Sequence, residues 1–359
     1  MKIAIDVSPI IYNTGVSIYT KEIVGNLLKI DTQNDYVLYG GSFRQYSALK
    51  AQVKKYTGRV ESRIYPIPPV VADLVWNRIH KFPIDPLLGK VDVFHSSDWT
   101  QPPTKAFKVT TIHDLSPIRF PRQMHPRIVS VHRARFNWIK KEADIVIAPS
   151  IATKADLIDY GIREEKIRVI GEAASIIHAP STDEQIQKVK TKYNIDGNYI
   201  VTVGVGQRKN TDRLIQAFEK SAAGQNLKLV LIGRSTKHFD DGRGIRFTGH
   251  VSDEEFAALI SGSQVMVYPS LYEGFGLPIL EAFNANVPVV TSNISSMPEV
   301  AGDAAVLVDP YEVESISEGI VKALKNQKGL KAKGLTQKLK FSWLKAAEKT
   351  LDVYKESRD

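Results

Sequence analysis

Glu273 and Glu281 flank the glycine-rich segment Gly274-Phe275-Gly276-Leu277-Pro278 in a chain of 359 residues. The apolar run 265–268 ahead of them ends in Pro269-Ser270 and predicts a buried strand. Pro278 opens the predicted helix behind them at its first position. The N–H groups at the head of such a helix, backed by its dipole, bind anions. Gly274 and Gly276 let a ligand approach the backbone. A carboxylate beside a phosphate cradle would repel the phosphate, so these glutamates suit hydroxyl donors. An anion and a ring of hydroxyls together describe a nucleotide sugar.

Arg208 and Lys209 supply the opposite charge. They follow Gly204-Val205-Gly206, and two adjacent cations facing a helix N-terminus would neutralise a diphosphate from both sides. The G-x-G fragment lacks the third glycine of a dinucleotide fingerprint. Asn210 suits a helix N-cap as well as a ligand. His113-Asp114 follows the predicted strand 108–112. The imidazole there can meet a sugar hydroxyl, shuttle a proton or serve structure alone, and Asp114 can orient it or cap the next turn. Gly15, ahead of a helix near Val16, either admits a phosphate or sugar to the backbone or makes a turn. Ser296-Met297-Pro298-Glu299 predicts a capping box.

All these residues fall in loops that follow strands. Strands are predicted at 2–6, 36–39, 63–67, 91–95, 108–112 and 144–148, then at 199–203, 228–232, 245–248, 264–268, 288–291 and 304–308. Helical patterns alternate with them, which predicts an α/β protein with two doubly wound parallel sheets. Such sheets bind ligands beyond their strand C-termini, so the two domains are expected to face a shared cleft. The expected domains are 1–172 and 173–340, with 171–180 as linker. A last helix, 341–359, should pack back across them on a stripe of Leu344, Ala347, Leu351 and Tyr354.

Hydrophobic residues make up 43% and charged residues 24%, as in soluble globular proteins. There is no cysteine, which excludes disulfides and thiolate metal sites. The N-terminus enters a strand at once, so the expectation is a cytoplasmic protein without a signal peptide. The net charge is +9. Residues 1–180 hold 25 Lys and Arg against 17 Asp and Glu, so the first half carries nearly all the excess. Arg119, Arg122, Arg127, Arg133, Arg135, Lys140 and Lys141 lie close together, with Phe136 and Trp138 between them. They form either a solvated helix face or a surface for nucleic acid, a phosphorylated acceptor or anionic lipid, the last at the inner face of the cytoplasmic membrane. The lysine-rich run 322–340 predicts solvated helix surface.

The chain resembles the family 4 retaining glycosyltransferases of the GT-B architecture over nearly its whole length. The resemblance rests on His113-Asp114-Leu115 with Phe120-Pro121, Pro149-Ser150, Arg208-Lys209-Asn210 and Gly249-His250-Val251-Ser252-Asp253. Tyr268-Pro269-Ser270, the Glu273-x7-Glu281 core, Pro298-Glu299-Val300-Ala301-Gly302-Asp303 and Phe341-Ser342-Trp343 complete it. It implies that Glu273 holds hydroxyls of the transferred sugar and that His113 sits by that sugar, these two being the catalytic pair. It further implies donor contacts from Gly15, Asp114 and the backbone of Gly274, Phe275, Gly276 and Leu277. Arg208 and Lys209 take the diphosphate, Glu281 the ribose, and Val251 lies against the base. Configuration is retained by a front-face displacement in which the leaving phosphate receives the acceptor proton.

This chain departs from many members in having only Gly15 in the first loop and Val205 where an arginine is common. No D-x-D triplet occurs. With Arg208, Lys209 and the helix N-terminus on the diphosphate, no metal and no cofactor is expected. The mannosyltransferase-like branch is the nearest in pattern, which implies GDP-mannose as donor and a glycan or lipid-linked saccharide of a surface polysaccharide as acceptor, with no nucleic acid. A UDP- or dTDP-hexose donor is the runner-up. A non-catalytic nucleotide-sugar-binding protein on the same fold and a dinucleotide-dependent oxidoreductase are the alternatives.

Overall fold

Residues 1–12, 14–174, 180–221, 227–234 and 244–358 are described by a computed structural model. They divide into one unit of Met1–Glu172 with Trp343–Asp359 and a second of Ala173–Ser342. Much of the expected linker, residues 175–179, lies outside the described residues, as does Asn13 of the first loop.

The first unit holds β1 (Lys2–Asp6), β2 (Asp35–Gly41), β3 (Val60–Tyr65), β4 (Val93–Ser96), β5 (Phe107–Thr111), β6 (Ile145–Ala148) and β7 (Ile167–Val169). They form one sheet in the order β3-β2-β1-β4-β5-β6-β7. Every pairing is parallel. Helices cover both faces of the middle of such a sheet, and β1 and β6 there are buried along nearly their whole length. Chain direction across the sheet reverses between β1 and β4, where loops from adjacent strands diverge and leave a crevice. The sequence pattern missed β7, whose three residues centre on Arg168. That strand pairs with β6 through Val146 and Ile167, and Arg168 forks onto Glu356 at 2.9 and 2.7 Å.

The helix Trp343–Lys355 belongs to this unit and buries Trp343, Ala346, Ala347, Thr350, Val353 and Tyr354. The expected stripe is therefore turned by about one position, and Leu344 is 45% exposed. The larger rings decide the orientation. Tyr354 reaches His95 Nδ1 at 2.7 Å, and Trp343 lies edge-on to Tyr19.

The basic helix Pro126–Glu142 also needs a correction. Arg127, Arg133, Lys140 and Lys141 are exposed, as a solvated face requires, but Arg135 is 1% exposed. Its guanidinium donates to Thr110 Oγ1 at 2.8 Å and to the Thr111 carbonyl at 3.1 Å. A charge is buried only with such partners.

The second unit holds β8 (Asn198–Val203), β9 (Leu227–Ile232), β10 (Ile245–Gly249), β11 (Met266–Tyr268), β12 (Val289–Ser292) and β13 (Ala305–Val308). Their order is β10-β9-β8-β11-β12-β13, again with parallel pairing. The reversal lies between β8 and β11. The α/β class with two parallel, Rossmann-like sheets is thus borne out. Among the described residues no helix is long and apolar enough to cross a membrane.

Candidate functional site

The loops after β8 and β11 meet at the reversal point of the second sheet, and they carry Arg208, Lys209 and Glu273. Backbone and side chains sew them together. Leu271 N–H donates to the Arg208 carbonyl at 2.8 Å. Buried Asn210 donates through Nδ2 to the carbonyls of Pro269 and Pro310 at 3.1 and 2.5 Å. Asn210 is therefore a tie between loops. Gly204 has φ +83°, and a Cβ there would lie 2.8 Å from Lys209 Cε. Glycine at this position makes room for the lysine stem.

The Glu273 carboxylate is shared by both cations. Arg208 Nη1 lies 2.8 Å from Oε2 and Lys209 Nζ 2.7 Å from Oε1. Arg208 also donates to the Tyr272 carbonyl at 2.7 Å, and Lys209 to the Tyr268 hydroxyl at 2.6 Å. The Glu273 side chain is only 11% exposed. Burial opposes its ionisation, but Lys209 and Arg208 more than offset this and hold its carboxyl down at about 2. Burial, with Glu273 close by, pushes the Tyr268 phenol well up.

The backbone of Glu273 is clamped from the β12 side. Ser295 Oγ donates to the Glu273 carbonyl at 2.7 Å, and Ser296 Oγ to the carbonyls of Glu273 and Phe275 at 3.0 and 2.7 Å. This overturns the expected capping box. Ser296 makes no side-chain cap to its own helix, Met297–Ala301, because its hydroxyl is spent across the loop.

Gly276, at φ +104°, is the N-cap of the helix Leu277–Asn284, with Pro278 in its first turn. Only glycine adopts that backbone without strain. Phe275 buries its ring edge-on against Phe341, with centroids 5.6 Å apart, so only its backbone is offered to a ligand. Glu281 lies about one turn into the helix and is buried. Val251 is half-buried against the core of this unit, between β10 and the helix Asp253–Ser261.

In the first unit His113 follows β5. Its Nδ1 lies 2.8 Å from Glu172 Oε1, and Tyr19 stands edge-on with ring centroids 4.6 Å apart. Burial lowers the imidazole's proton affinity, yet bonding to Glu172 prevails and raises it. Glu172 was not singled out from the sequence. The signal was its position just past a strand end, hidden because β7 itself went unread. Below this pair, Tyr19 and His95 both reach Thr111 Oγ1 at 2.9 Å. His95, wholly buried, is driven down to about 3 and stays neutral. Asp114 takes the capping alternative, accepting from Ser116 N–H at 2.7 Å. Gly15 is the first residue of the helix Gly15–Ile30, behind a Thr14–Ser17 capping box, and a Cβ there would meet nothing within 4 Å.

The His113–Glu172 pair makes a direct prediction. Glu172→Gln should lower the His113 pKa, because burial is then opposed less, and an NMR titration reads it. The sign fixes the stability profile as well. A raised folded-state pKa gives stability that is complete below about 6.5 and fades as pH climbs through the raised value. The variant should lose that slope, and an unchanged titration would remove Glu172 as the cause.

Among the described residues no group of His, Asp and Glu is placed to hold a metal ion. The donor set is instead two cations, one carboxylate and a helix N-terminus. A family model for glycosyl transferases group 1 matches residues 183–338, and one for glycosyltransferase family 4 matches residues 14–173. The chain is 31% identical to the O-antigen chain mannosyltransferase B of Escherichia coli over 288 residues, 73% of this chain and 74% of that protein. It is 32% identical over 237 residues to the serotype-specific mannosyltransferase WbdA of Escherichia coli, covering 60% of this chain but only 29% of that longer protein. The fold is shared with HepE of Anabaena, solved with UDP-glucose, at a TM-score of 0.70 and 16% identity over 99% of this chain and 100% of that one. With both halves matched in order and a GT-B pair of sheets beneath them, the chain belongs to glycosyltransferase family 4.

Proposed function

We propose that the chain transfers mannose from GDP-mannose to a saccharide acceptor in surface polysaccharide synthesis, with retention of configuration and without a divalent metal. The observation that carries this reading is the Arg208–Lys209–Glu273 cluster at the head of the helix Leu277–Asn284. The O-antigen mannosyltransferase relative supports mannose and the polysaccharide context.

As the site stands, Glu273 satisfies both cations. An entering diphosphate competes for Arg208 and Lys209, and its remaining oxygens face the N–H groups from Gly274 to Leu277. The displaced carboxylate then accepts hydrogen bonds from the sugar hydroxyls. Glu281 is assigned to the ribose and Val251 to the base. An acceptor hydroxyl oxygen bonds to the sugar C1 as the C1–O bond to phosphate breaks, and the departing phosphate oxygen takes the acceptor proton. His113 is assigned to the sugar. Gly15 is assigned to close approach by the donor, since neither its backbone nor its neighbours otherwise require glycine. Gly15→Ala should therefore spare folding and impair donor use.

A thermal-shift panel of GDP-mannose, UDP-glucose and dTDP-glucose tests the donor, since a bound ligand raises the melting temperature by mass action. The largest shift is expected with GDP-mannose, and a larger one with either other donor would replace it. Transfer assays in EDTA test the metal. Activity should persist, because cations and helix dipole meet the phosphate charge. A loss restored by magnesium or manganese would overturn the metal-free mechanism.

A further inference from the structure

Residues 319–342 of the second unit hold seven Lys and no Asp or Glu. A charge run of that kind ordinarily makes solvated surface. Here the structure sets exposed leucines among the lysines. The helix Gln327–Gln337, continued by a 3₁₀ turn at Lys338–Lys340, buries one side and leaves an apolar ridge on the other.

On the inward side Leu330, Gly334 and Gln337 recur at spacings of four and three, which makes one helical stripe, and all three are buried. A Cβ on Gly334 would lie 2.7 Å from Phe283 Cδ1, so glycine lets this helix settle on the helix Leu277–Asn284. Gln337 Nε2 donates to the Val300 carbonyl at 3.0 Å. The outward side lies about half a turn away. Ala332, Leu335 and Leu339 follow one another at spacings of three and four there, with Leu335 40% and Leu339 70% exposed. Lys331 and Lys338, two turns apart, border this ridge on one flank, and Lys333 and Lys340 border it on the other. Lys328 stands at its end. Among the described residues these five lysines form one ion pair, Lys333 with the exposed Asp303 at 3.0 Å.

An apolar ridge between two rows of lysines matches the boundary of an anionic bilayer. The leucines can enter the edge of the acyl region while the lysine stems reach back to the headgroup phosphates. Nucleic acid would use the lysines but leave the leucines idle, and the ridge carries no aromatic ring for a base to stack on. We propose that the helix Gln327–Gln337, with Lys338–Lys340, is a peripheral docking surface for an anionic lipid bilayer. The surface is separate from the Arg208–Lys209–Glu273 cluster, and its occupant does not depend on which donor is used.

Flotation of the full chain with vesicles is the test, using phosphatidylcholine alone and an equimolar mixture with phosphatidylglycerol. The chain should bind the anionic vesicles, bind the neutral ones about tenfold more weakly or worse, and be released by salt. Leu335→Gln combined with Leu339→Gln should weaken binding to the anionic vesicles about tenfold or more, since little apolar area is left to bury. Lys331→Gln combined with Lys338→Gln should weaken it to a similar degree. Both pairs should leave GDP binding unchanged. Equal binding of neutral and anionic vesicles would overturn the proposal, as would anionic binding that the leucine pair leaves intact. RNA binding as tight as vesicle binding and dependent on the lysines alone would overturn it in favour of nucleic acid. A dimer that the leucine pair dissolves would overturn it in favour of a second copy of this chain. Vesicle binding is read without donor or acceptor, so failure of GDP-mannose as a substrate would strike the donor reading alone. Transfer to a soluble acceptor by a chain that does not float would strike the docking surface alone.

Discussion

Glu273→Gln should lower the transfer rate by about a hundredfold or more, the loss expected when charge-assisted hydrogen bonds worth roughly 1.5–3 kcal/mol each turn neutral. Gln keeps the size and one acceptor oxygen, so no cavity opens. GDP should bind at least as tightly as before, because the carboxylate that competes with the diphosphate for Arg208 and Lys209 has been neutralised. Steady-state kinetics and calorimetry with GDP separate the two effects. Weakened GDP binding would instead show that Glu273 holds the cations ready for phosphate. The same residue sets an acid limit. Its folded-state carboxyl lies at about 2 against 4.5 for a free glutamate. Its stabilisation is therefore complete above about 4.5 and lost as pH falls toward 2, a contribution on the order of 3 kcal/mol. Glu273→Gln should flatten acid unfolding in that window.

Lys209→Ala should weaken GDP binding by roughly 1.5–3 kcal/mol and leave free guanosine binding unchanged. The ammonium lies against Glu273 and over the Tyr268 ring at 4.7 Å, placed for a phosphate and not for a base. Without it the Glu273 carboxyl keeps Arg208 but loses its largest opposing charge, so its pKa should rise toward the ordinary value. Equal losses for nucleotide and nucleoside would show that Lys209 does not meet the diphosphate. His113→Ala offers the contrast, with turnover falling well beyond any change in nucleotide affinity. A mutant that binds nucleotide poorly and melts early would make His113 a structural residue.

Most strand positions were legible because a strand covered on both faces reads as an apolar run, as Ile145–Ala148 does. β7 was not, since three residues around Arg168 leave no run to read, and Glu172 was hidden with it. The terminal helix was legible as amphipathic, but its orientation depended on where Trp343 and Tyr354 find partners, and a helical stripe does not encode that. Ser296 shows the limit of local motifs. Its spacing to Glu299 fits a capping box, yet two carbonyls of the neighbouring loop take its hydroxyl. Arg135 shows the same for charge, since a basic helix reads as solvated until Thr110 and Thr111 lie beneath it. For the candidate site, the sequence placed Arg208, Lys209 and Glu273 in loops after β8 and β11. It did not indicate that they pair with one another, because that follows from strand order, which brings those two strands side by side.

The retaining, Glu273-dependent transfer is tested most directly by NMR of the product formed from GDP-mannose and a neutral mannoside acceptor, with transfer by Glu273→Gln followed in parallel. Retaining transfer that depends on Glu273 requires a new mannosyl linkage with the anomeric configuration of the donor, formed by the wild type and nearly lost in the variant. An inverted linkage, or a variant that transfers as fast as the wild type, would contradict it.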